Sequence, residues 1–318
     1  MAKAFIRGLH NLAPRDHGVV ATIGTFDGIH RGHQAIMSQV KRRAAELGLP
    51  AMAMIFEPHP REFFFHEQAP ARLMRLREKI EAIRATGVEE IFCLHFNRAL
   101  RTMTARDFVE QVLVEGANVR CLIVGDDFHF GCDRAGDIFM LRDAGREFGF
   151  EVLDTATVEH NGERISSTWV REALQAGDFA LVETLLGRPF SIGGKVIHGQ
   201  KLGRELGVPT ANINLRRYRA PLSGVFVVNV IHDGKDFPGV ANVGVRPTVG
   251  GLVKPILEVH LLHWQGDLYG CRLTVEFLQK IREEKRFSGR DELVENILRD
   301  VESAKSYFAR KGLTDRRA

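Results

Sequence analysis

Residues 22–33 read TIGTFDGIHRGH, the end of an apolar run followed by a glycine-rich turn and the start of a helical pattern. His30 and His33 are three residues apart in this stretch, so both imidazoles lie on one face of the first helical turn. Free backbone N–H groups and the helix dipole favour anions there. A protein zinc site needs three or four ligands, and no further ligand follows at helical spacing. We therefore favour contact with a phosphate; a metal site and two structural loop histidines are the alternatives.

The composition indicates an ordinary soluble globular protein, with 44% apolar and 26% charged residues. At 318 residues the chain is long enough for two domains, given a norm of about 150 residues each. A net charge of +4 does not demand nucleic acid, and small anions would suffice as partners. The four cysteines form no CxxC pair, so we expect reduced, mostly buried thiols. We find no signal-peptide core and no membrane-length apolar run, and expect a cytoplasmic protein.

Between residues 19 and 154, short apolar runs alternate with amphipathic helical patterns. The apolar runs are VVATIG (19–24), AMAMIF (51–56), IFCLHF (91–96), CLIVG (121–125) and FEVLD (150–154). Helical patterns lie at 33–48, 76–87, 105–116 and, as a closing pair, 168–186. Continuous apolar strands separated by helices predict a parallel sheet covered on both faces. Such sheets bind ligands beyond the carboxyl ends of their strands, where the turn at 22–33 falls.

After residue 190 the pattern changes to closely spaced strands separated by turn residues. The strand-like runs are SIGGKVI (191–197), GVFVVNVI (224–231), GVANVGV (239–245), ILEVHLL (256–262) and LYGCRLTVEFL (268–278). This arrangement predicts an antiparallel barrel or sandwich. Apolar residues at helical spacing over 289–310 predict one terminal helix that packs on it. We therefore expect an α/β domain at 1–186 and a β domain at 187–318.

Three further segments of the first half carry polar side chains at predicted strand ends or at a helix start. They are FEPHP (56–60), VGDDFHFG (124–131) with Asp126 and Asp127, and ISSTWVRE (165–172) with Ser167, Thr168 and Arg171. Taken singly, each fits a helix cap or a solvated loop better than a site. Together with the two histidines they gather hydroxyls, a guanidinium, imidazoles and carboxylates at one sheet edge, which resembles nucleotide handling.

In the second half, residues 193–213 begin like a P-loop but lack its Gly-Lys-Ser/Thr ending, because QKL stands there. The segment is still a flexible basic loop suited to phosphates, with Gly194, Lys195, His198, Gly199 and Gly203. Thr210 and Asn212 follow at alternate positions of an extended stretch. Mg²⁺ uses few protein oxygens and completes its shell with water and phosphate, so these two would be enough. The alternative is a basic surface loop followed by an ordinary Pro-Thr turn.

The four segments of the first half, in this order, resemble the adenylyltransferase half of the bacterial bifunctional riboflavin kinase/FAD synthetase family. The HxGH element alone marks a wider nucleotidyltransferase superfamily and does not choose the substrate. The resemblance implies that ATP lies over the first loop, with His30 and His33 on its phosphates, and that FMN attacks the α-phosphorus. It assigns further nucleotide-binding roles to Gly24, Phe26, Gly32, Ser167, Thr168 and Arg171, and a flavin or nucleotide loop to Asp127.

In the second half, the segments at 239–251, 256–270 and 283–287 resemble riboflavin kinase. The resemblance implies that Glu258, in the ExH segment, takes the proton from the ribityl hydroxyl. Without the resemblance, a strand glutamate facing solvent would be the preferred interpretation. His263 stands where the family often has an acidic residue, which leaves the local hydrogen bonding open.

Resemblance from residue 18 to residue 287 implies a Rossmann-like α/β nucleotidyltransferase domain, then an antiparallel β-barrel riboflavin kinase domain with a C-terminal helix. The expected partners are riboflavin, FMN, FAD and ATP, with Mg²⁺ in both steps, and neither nucleic acid nor membrane. One active half with a regulatory second half is an alternative, as is a different nucleotidyltransferase whose barrel only recognises substrate. Nucleic-acid binding is disfavoured because the basic residues are scattered without interleaved aromatics.

Overall fold

A computed structural model of the chain describes residues 4–12, 15–125, 127–199, 208–247 and 253–312. The chain divides into two compact units. The first contains the residues up to Pro70 together with Met74–Ser167, and the second contains Ala71–Leu73 and the residues from Thr168 onward. The boundary that we expect between the two functional domains, at residues 186 and 187, stays a prediction. No helix in the described ranges is long and apolar enough to span a bilayer.

The first unit contains a six-stranded sheet in the order β1-β4-β3-β2-β5-β6. Its strands are β1 (Phe5–Arg7), β2 (Val19–Ile23), β3 (Ala51–Glu57), β4 (Glu90–His95), β5 (Val119–Val124) and β6 (Glu151–Asp154). All neighbouring strands are parallel, which confirms the predicted sheet. The chain builds outward from β2 in one direction and then returns to its other side with β5, so β2 lies at the topological switch point where such sheets bind ligands.

Helices cover the sheet, and their bounds agree with most of the predicted helical patterns. They are α1 (Arg31–Leu47), α2 (Pro60–Phe65), α3 (Leu76–Ala85), α4 (Arg98–Thr102), α5 (Ala105–Asp107) and α6 (Ile138–Phe148). Short 3₁₀ helices lie at Leu9–Asn11, His66–Gln68 and Cys132–Arg134, and β7 (Glu159–His160) pairs with β8 (Glu163–Arg164). The predicted helical pattern at 105–116 is helical throughout, and α5 continues there as a π-helix over Phe108–Gly116. Its buried apolar residues would suit either helix type, so the sequence cannot distinguish them.

The two faces of the sheet bury two separate apolar clusters, as the strand period requires. Val19, Ala21 and Ile23 of β2 belong to one cluster, with the π-helical segment and α6. Val20 belongs to the other, with α1 and α3. The strand is buried on both sides, and β2 can therefore fix the turn that follows it.

From Thr168 onward the chain belongs to the second unit, which therefore contains all of α7 (Ser167–Ala176) except its first residue. Helix α8 (Phe179–Leu186) follows. Its strands are β9 (Phe190–Ile197), β10 (Ala211–Asn214), β11 (Gly224–His232), β12 (Lys235–Pro247), β13 (Val253–Leu261) and β14 (Arg272–Arg282). They form a closed antiparallel barrel in the order β10-β13-β12-β11-β14-β9, closed by the pairing of β9 with β10. This confirms the barrel. The run at 268–278 enters its strand only at Arg272, since Gly270 takes a positive φ of 78°.

The terminal helix, α9 (Arg290–Arg310), packs on the barrel as predicted. Ala304 and Phe308 lie against Val225 and Val227 of β11 and are almost fully buried. An ion pair between Asp300 of the helix and Arg282 of β14 also joins these two elements.

We expect that Asp300→Ala will lower the free energy of unfolding by about 2–4 kcal/mol, because a largely buried charge loses its partner. Asp300 is 5% exposed, and Arg282 Nη2 lies 2.7 Å from its Oδ2. Urea unfolding of the parent and the variant measures the change. The control is Glu295→Ala on the same helix, whose Arg299 pair is exposed and should be worth less than about 1 kcal/mol. Equal effects of the two substitutions would contradict the prediction.

Candidate active sites

The turn after β2 has an unusual backbone that places its side chains closely together. Phe26, Gly28 and Ile29 all take positive φ angles, of 45°, 89° and 42°. Glycine adopts positive φ angles freely, whereas bulky residues rarely do. Bulky residues held in this conformation are often found at functional sites. The Phe26 ring is buried directly over Gly24, where a Cβ atom would lie 3.1 Å from the ring. Gly24 therefore makes room for Phe26.

His30 and His33 form one stacked pair at the start of α1. Their ring centroids are 3.6 Å apart with an interplanar angle of 22°. His30 is the N-cap residue of α1, and its Nδ1 accepts the His33 backbone N–H at 3.4 Å. Gly32 leaves space for the His30 ring, because a Cβ atom there would be 3.1 Å from Nδ1. His30 thus has a capping role, although the long hydrogen bond makes it a weak one.

The His33 imidazole carries an unused polar atom into this site. Its Nδ1 is buried and has no hydrogen-bond partner among the residues that the structure describes. Burial lowers the pKa of His33 well below the usual value, and the charges of His30, Lys79 and Arg164 lower it further. The imidazole is therefore neutral at pH 7. A buried polar atom without a partner is costly, which favours a ligand at this position.

Ser167, the last residue of the first unit, contacts the turn. Its Oγ donates to the Asp27 carbonyl at 2.8 Å, and the Asp27 carboxylate accepts the Met74 N–H at 3.0 Å. Thr168 and Arg171 belong to the second unit, where Arg171 Nε donates to the Ala71 carbonyl at 2.6 Å. The structure thus holds Ser167 at the histidine turn, and the triphosphate contacts of Thr168 and Arg171 stay predictions.

Asp127 forms an exposed ion pair with Arg164 of β8, at 3.0 Å. Arg164 is close enough to lower the pKa of His33, so the loop after β5 and the β7–β8 hairpin both approach the histidine pair. Asp126 lies outside the described residues. His59, in the FEPHP segment, caps α2 by accepting the Arg61 N–H at 3.1 Å, which is the helix-cap role weighed for that segment.

A second constellation lies on the barrel, where strand register aligns three polar side chains. Asn212 of β10 pairs with Glu258 of β13, and Glu258 pairs on its other side with Asn242 of β12. Directly opposite residues of neighbouring strands point to the same face. Glu258 is partly buried, and an asparagine stands opposite it on each neighbouring strand.

The Asn212 amide also fits the predicted metal site. The side chain is 6% exposed, and its Oδ1 has no hydrogen-bond partner in the described part of the chain. Gly199 lies directly against this amide, so a side chain at position 199 would overlap it. The described residues contain no group of three His, Cys, Asp or Glu that could hold a metal. Neutral oxygens from Thr210 and Asn212, with water and phosphate, suit Mg²⁺ in particular.

The basic loop is only partly described. Gly194 and Lys195 lie on β9 where it pairs with β14, and Lys195 is exposed. The His198 ring lies against the Tyr269 ring, with centroids 4.0 Å apart. Gly203 lies outside the described residues, so its predicted phosphate contact has no structural description.

Comparison with known proteins identifies the family of the chain. A Pseudomonas fluorescens protein named bifunctional riboflavin kinase/FMN adenylyltransferase is 56% identical over 96% of this chain and 97% of that protein. The Escherichia coli K12 protein of the same name is 48% identical over 97% of this chain and 98% of that protein. The chain belongs to this family. The FAD synthetase family model matches residues 12–169 and the riboflavin kinase model residues 186–308, the predicted order of the bifunctional family.

One solved structure also covers nearly the whole chain. A crystal structure described as a macrolide-efflux protein from Streptococcus pneumoniae aligns with a TM-score of 0.80 and 29% identity. The alignment covers 96% of this chain and 99% of that one. It agrees with the fold described above, and its description concerns that protein alone.

Sequence reasoning missed three residues that contact or approach the two candidate sites. Lys79 is buried and donates to the Thr25 carbonyl at 2.5 Å. The sequence does contain a sign of this burial, because Lys79 stands on the apolar face of α3, four residues before the buried Ile83. Arg164 lies on the second strand of the β7–β8 hairpin, and no motif singles it out. His260, the histidine of ExH, donates from Nδ1 to the Pro209 carbonyl at 2.8 Å and so fixes the chain before Thr210.

Glu284 is a second carboxyl close to the barrel constellation. It lies against Gly244 of β12. Burial raises the pKa of Glu284, and the negative charge of Glu258 raises it further.

The pKa of His260 is lowered, mainly by burial and also by His263, so His260 is neutral at pH 7. His263 itself is exposed with a φ of 62°, which leaves it in the turn after β13 and away from the barrel core.

Proposed function

We propose that the chain makes FAD from riboflavin in two ATP-dependent steps. The C-terminal barrel phosphorylates riboflavin to FMN, and the N-terminal α/β unit transfers AMP from ATP to FMN and releases pyrophosphate. The observation that carries the proposal is the bifunctional relative at 56% identity over 96% of this chain. The stacked histidines of one unit and the Glu258 row of the other give it a physical basis.

In the adenylylation step, the phosphate of FMN attacks the α-phosphorus of ATP in line with the leaving pyrophosphate. Such a displacement needs positioning and charge stabilisation more than a protein nucleophile. His30 and His33 contact the phosphates, where imidazole N–H groups and the N-terminus of α1 stabilise the growing charge. Gly24, Phe26 and Gly32 shape the turn for the nucleotide, and Ser167, Thr168 and Arg171 hold the triphosphate. Asp127 belongs to the flavin or nucleotide loop.

In the kinase step, the terminal ribityl hydroxyl attacks the γ-phosphorus of ATP, and ADP leaves. Glu258 accepts the hydroxyl proton late in the transfer, as expected for a carboxylate base in phosphoryl transfer. The glycines and basic residues of the loop after β9 hold the phosphates: Gly194, Lys195, His198, Gly199 and Gly203. Thr210 and Asn212 would hold Mg²⁺, which neutralises charge on the transferring phosphoryl group when bound.

The test is a chromatographic time course with purified protein, riboflavin, ATP and Mg²⁺. We expect FMN to appear first and then to convert to FAD, because the product of one site is the substrate of the other. If FMN accumulates and no FAD forms, the N-terminal site does not adenylylate FMN and would serve another nucleotidyl-transfer reaction. No flavin product would contradict the proposed function in both halves.

Removal of Mg²⁺ with excess EDTA should abolish both reactions, and added Mg²⁺ should restore them. Asn212→Ala should in addition raise the Mg²⁺ concentration for half-maximal kinase rate by roughly 10- to 100-fold, as for other losses at metal sites. The Mg²⁺ dependence of FMN adenylylation in the same variant is the control and should not change. Kinase turnover that persists in EDTA would refute the metal assignment.

We also propose a cytoplasmic location, on the basis of cysteine chemistry. All four cysteines are free, with Cys93 and Cys121 buried and Cys132 and Cys271 partly buried. Free cysteines are typical of reducing compartments. Burial also raises the pKa of Cys93 to about 11 and that of Cys121 to about 12, which keeps these two thiols unreactive.

A further inference from the structure

Lys79 is a buried cation next to the histidine turn. It is 2% exposed and stands among the largest fully buried side chains of the described residues. Moving an ammonium group out of water costs several kcal/mol, so a hydrophobic residue of similar length would fill this place on α3 more cheaply. The retention of a charge here therefore calls for a reason specific to the site.

The hydrogen bond of Lys79 reaches the backbone of the turn itself. Nζ donates to the Thr25 carbonyl at 2.5 Å. Thr25 immediately precedes Phe26, whose backbone has a φ of 45° and whose ring meets His33 edge-on at 5.2 Å. Because the carbonyl of Thr25 belongs to the peptide plane that enters Phe26, the Lys79 hydrogen bond restrains the backbone of the residue whose ring contacts His33.

The charge of Lys79 also acts on His33, together with the other groups that face it. His30 faces it from the stacked pair, Lys79 from α3 and Arg164 from β8, and each disfavours a proton on His33. The carboxylate of Asp127 pairs with Arg164. The carboxylate of Asp27, in the same turn, accepts the Met74 N–H. The positive charges that lower the pKa of His33 thus come from three parts of the first unit: the turn, α3 and β8.

We propose that Lys79 is a positioning residue of the adenylylation site, which fixes the turn carrying the histidine pair. The inference rests on the proposed adenylylation activity and adds to it a residue outside the known motif segments.

The experiment uses three full-length variants. Lys79→Met removes the charge and the donor, and Lys79→Gln removes the charge but keeps an N–H donor. Arg77→Met removes an exposed cation from the same helix and is the matched control. For each we measure kcat and KM for ATP in FMN adenylylation, with riboflavin phosphorylation by the same molecules as the folding control. The protonation of His33 is followed in substrate-free protein by ¹H–¹³C NMR of labelled histidine, with His33→Asn for assignment.

Lys79→Met should lower kcat/KM for adenylylation by roughly 10- to 100-fold, the scale of a small misplacement of reacting groups, and leave the kinase rate unchanged. The midpoint of the His33 titration should move to higher pH in both Lys79 variants and stay in place in Arg77→Met. Lys79→Gln should keep more adenylylation activity than Lys79→Met, because its amide can still hold the Thr25 carbonyl.

Two results would overturn the proposal: adenylylation within twofold of the parent in Lys79→Met, or an unchanged His33 midpoint in both Lys79 variants. A parent protein that does not convert FMN to FAD would instead refute the proposed function, and the NMR titration in substrate-free protein would still decide the role of Lys79. If Lys79→Met does not fold, the midpoint in Lys79→Gln decides alone.

Discussion

Replacing Glu258 with Gln is expected to lower kcat for riboflavin phosphorylation by roughly 10²–10⁴-fold, the usual contribution of a positioned general base. Gln has nearly the same shape but cannot accept the proton that the ribityl hydroxyl releases. The amides of Asn212 and Asn242, opposite Glu258 on both neighbouring strands, stay in place, so the substitution tests proton transfer rather than the fold. Initial rates of FMN formation at saturating ATP and riboflavin measure it.

Two controls accompany this variant. Glu276→Gln changes another partly buried barrel glutamate, one whose carboxylate accepts a hydrogen bond from Asn229 Nδ2 at 3.0 Å, and should stay within about twofold of the parent because it lies outside the proposed site. Conversion of supplied FMN to FAD by Glu258→Gln should equal that of the parent. A Glu258→Gln variant with normal kinase turnover would show that another group accepts the proton, and Glu284 would be the next candidate.

The predictable part of the fold is the part encoded by local periodicity. The apolar run at 19–24 has no polar face, which predicts a strand buried on both sides, and Val19–Ile23 is such a strand. The terminal helix at Arg290–Arg310 was equally readable from its apolar spacing. Phe5–Arg7 and Ala211–Asn214 were not predicted as strands, because segments of three or four residues are too short to show a period.

The predictable part of the sites is likewise the part that lies within one short segment. His30 and His33 are visible because one helical turn separates them. The row of Asn212, Glu258 and Asn242 depends on the register of two separate strand pairs, and a shift by one residue would turn each side chain to the other face. Lys79 approaches Thr25 across 54 positions of sequence, so only the folded chain reveals that contact.

Replacing His33 with Ala is expected to lower kcat/KM for FMN adenylylation by roughly 10²–10³-fold, the effect of removing one donor from a site that stabilises developing charge. Riboflavin phosphorylation should remain near the parent rate, since its residues lie on the barrel. His30→Ala should show a similar loss of adenylylation, together with the small loss of stability that follows removal of a weak N-cap. Both rates can be measured separately in one preparation by supplying either FMN or riboflavin.

The ratio of the two rates decides between the interpretations of the histidine pair. His17→Ala, which changes an exposed histidine of the first unit, is the matched control and should leave both rates unchanged. Selective loss of adenylylation in His33→Ala would support phosphate contact, because a ligand-binding role affects only the reaction at that site. Equal loss of both activities would mean that the histidines hold the fold together, since a damaged fold lowers the amount of every active site in the molecule. The Nδ1 of His33 has no hydrogen-bond partner among the described residues. This favours the first outcome, because a histidine kept only for structure would satisfy its buried polar atoms within the chain.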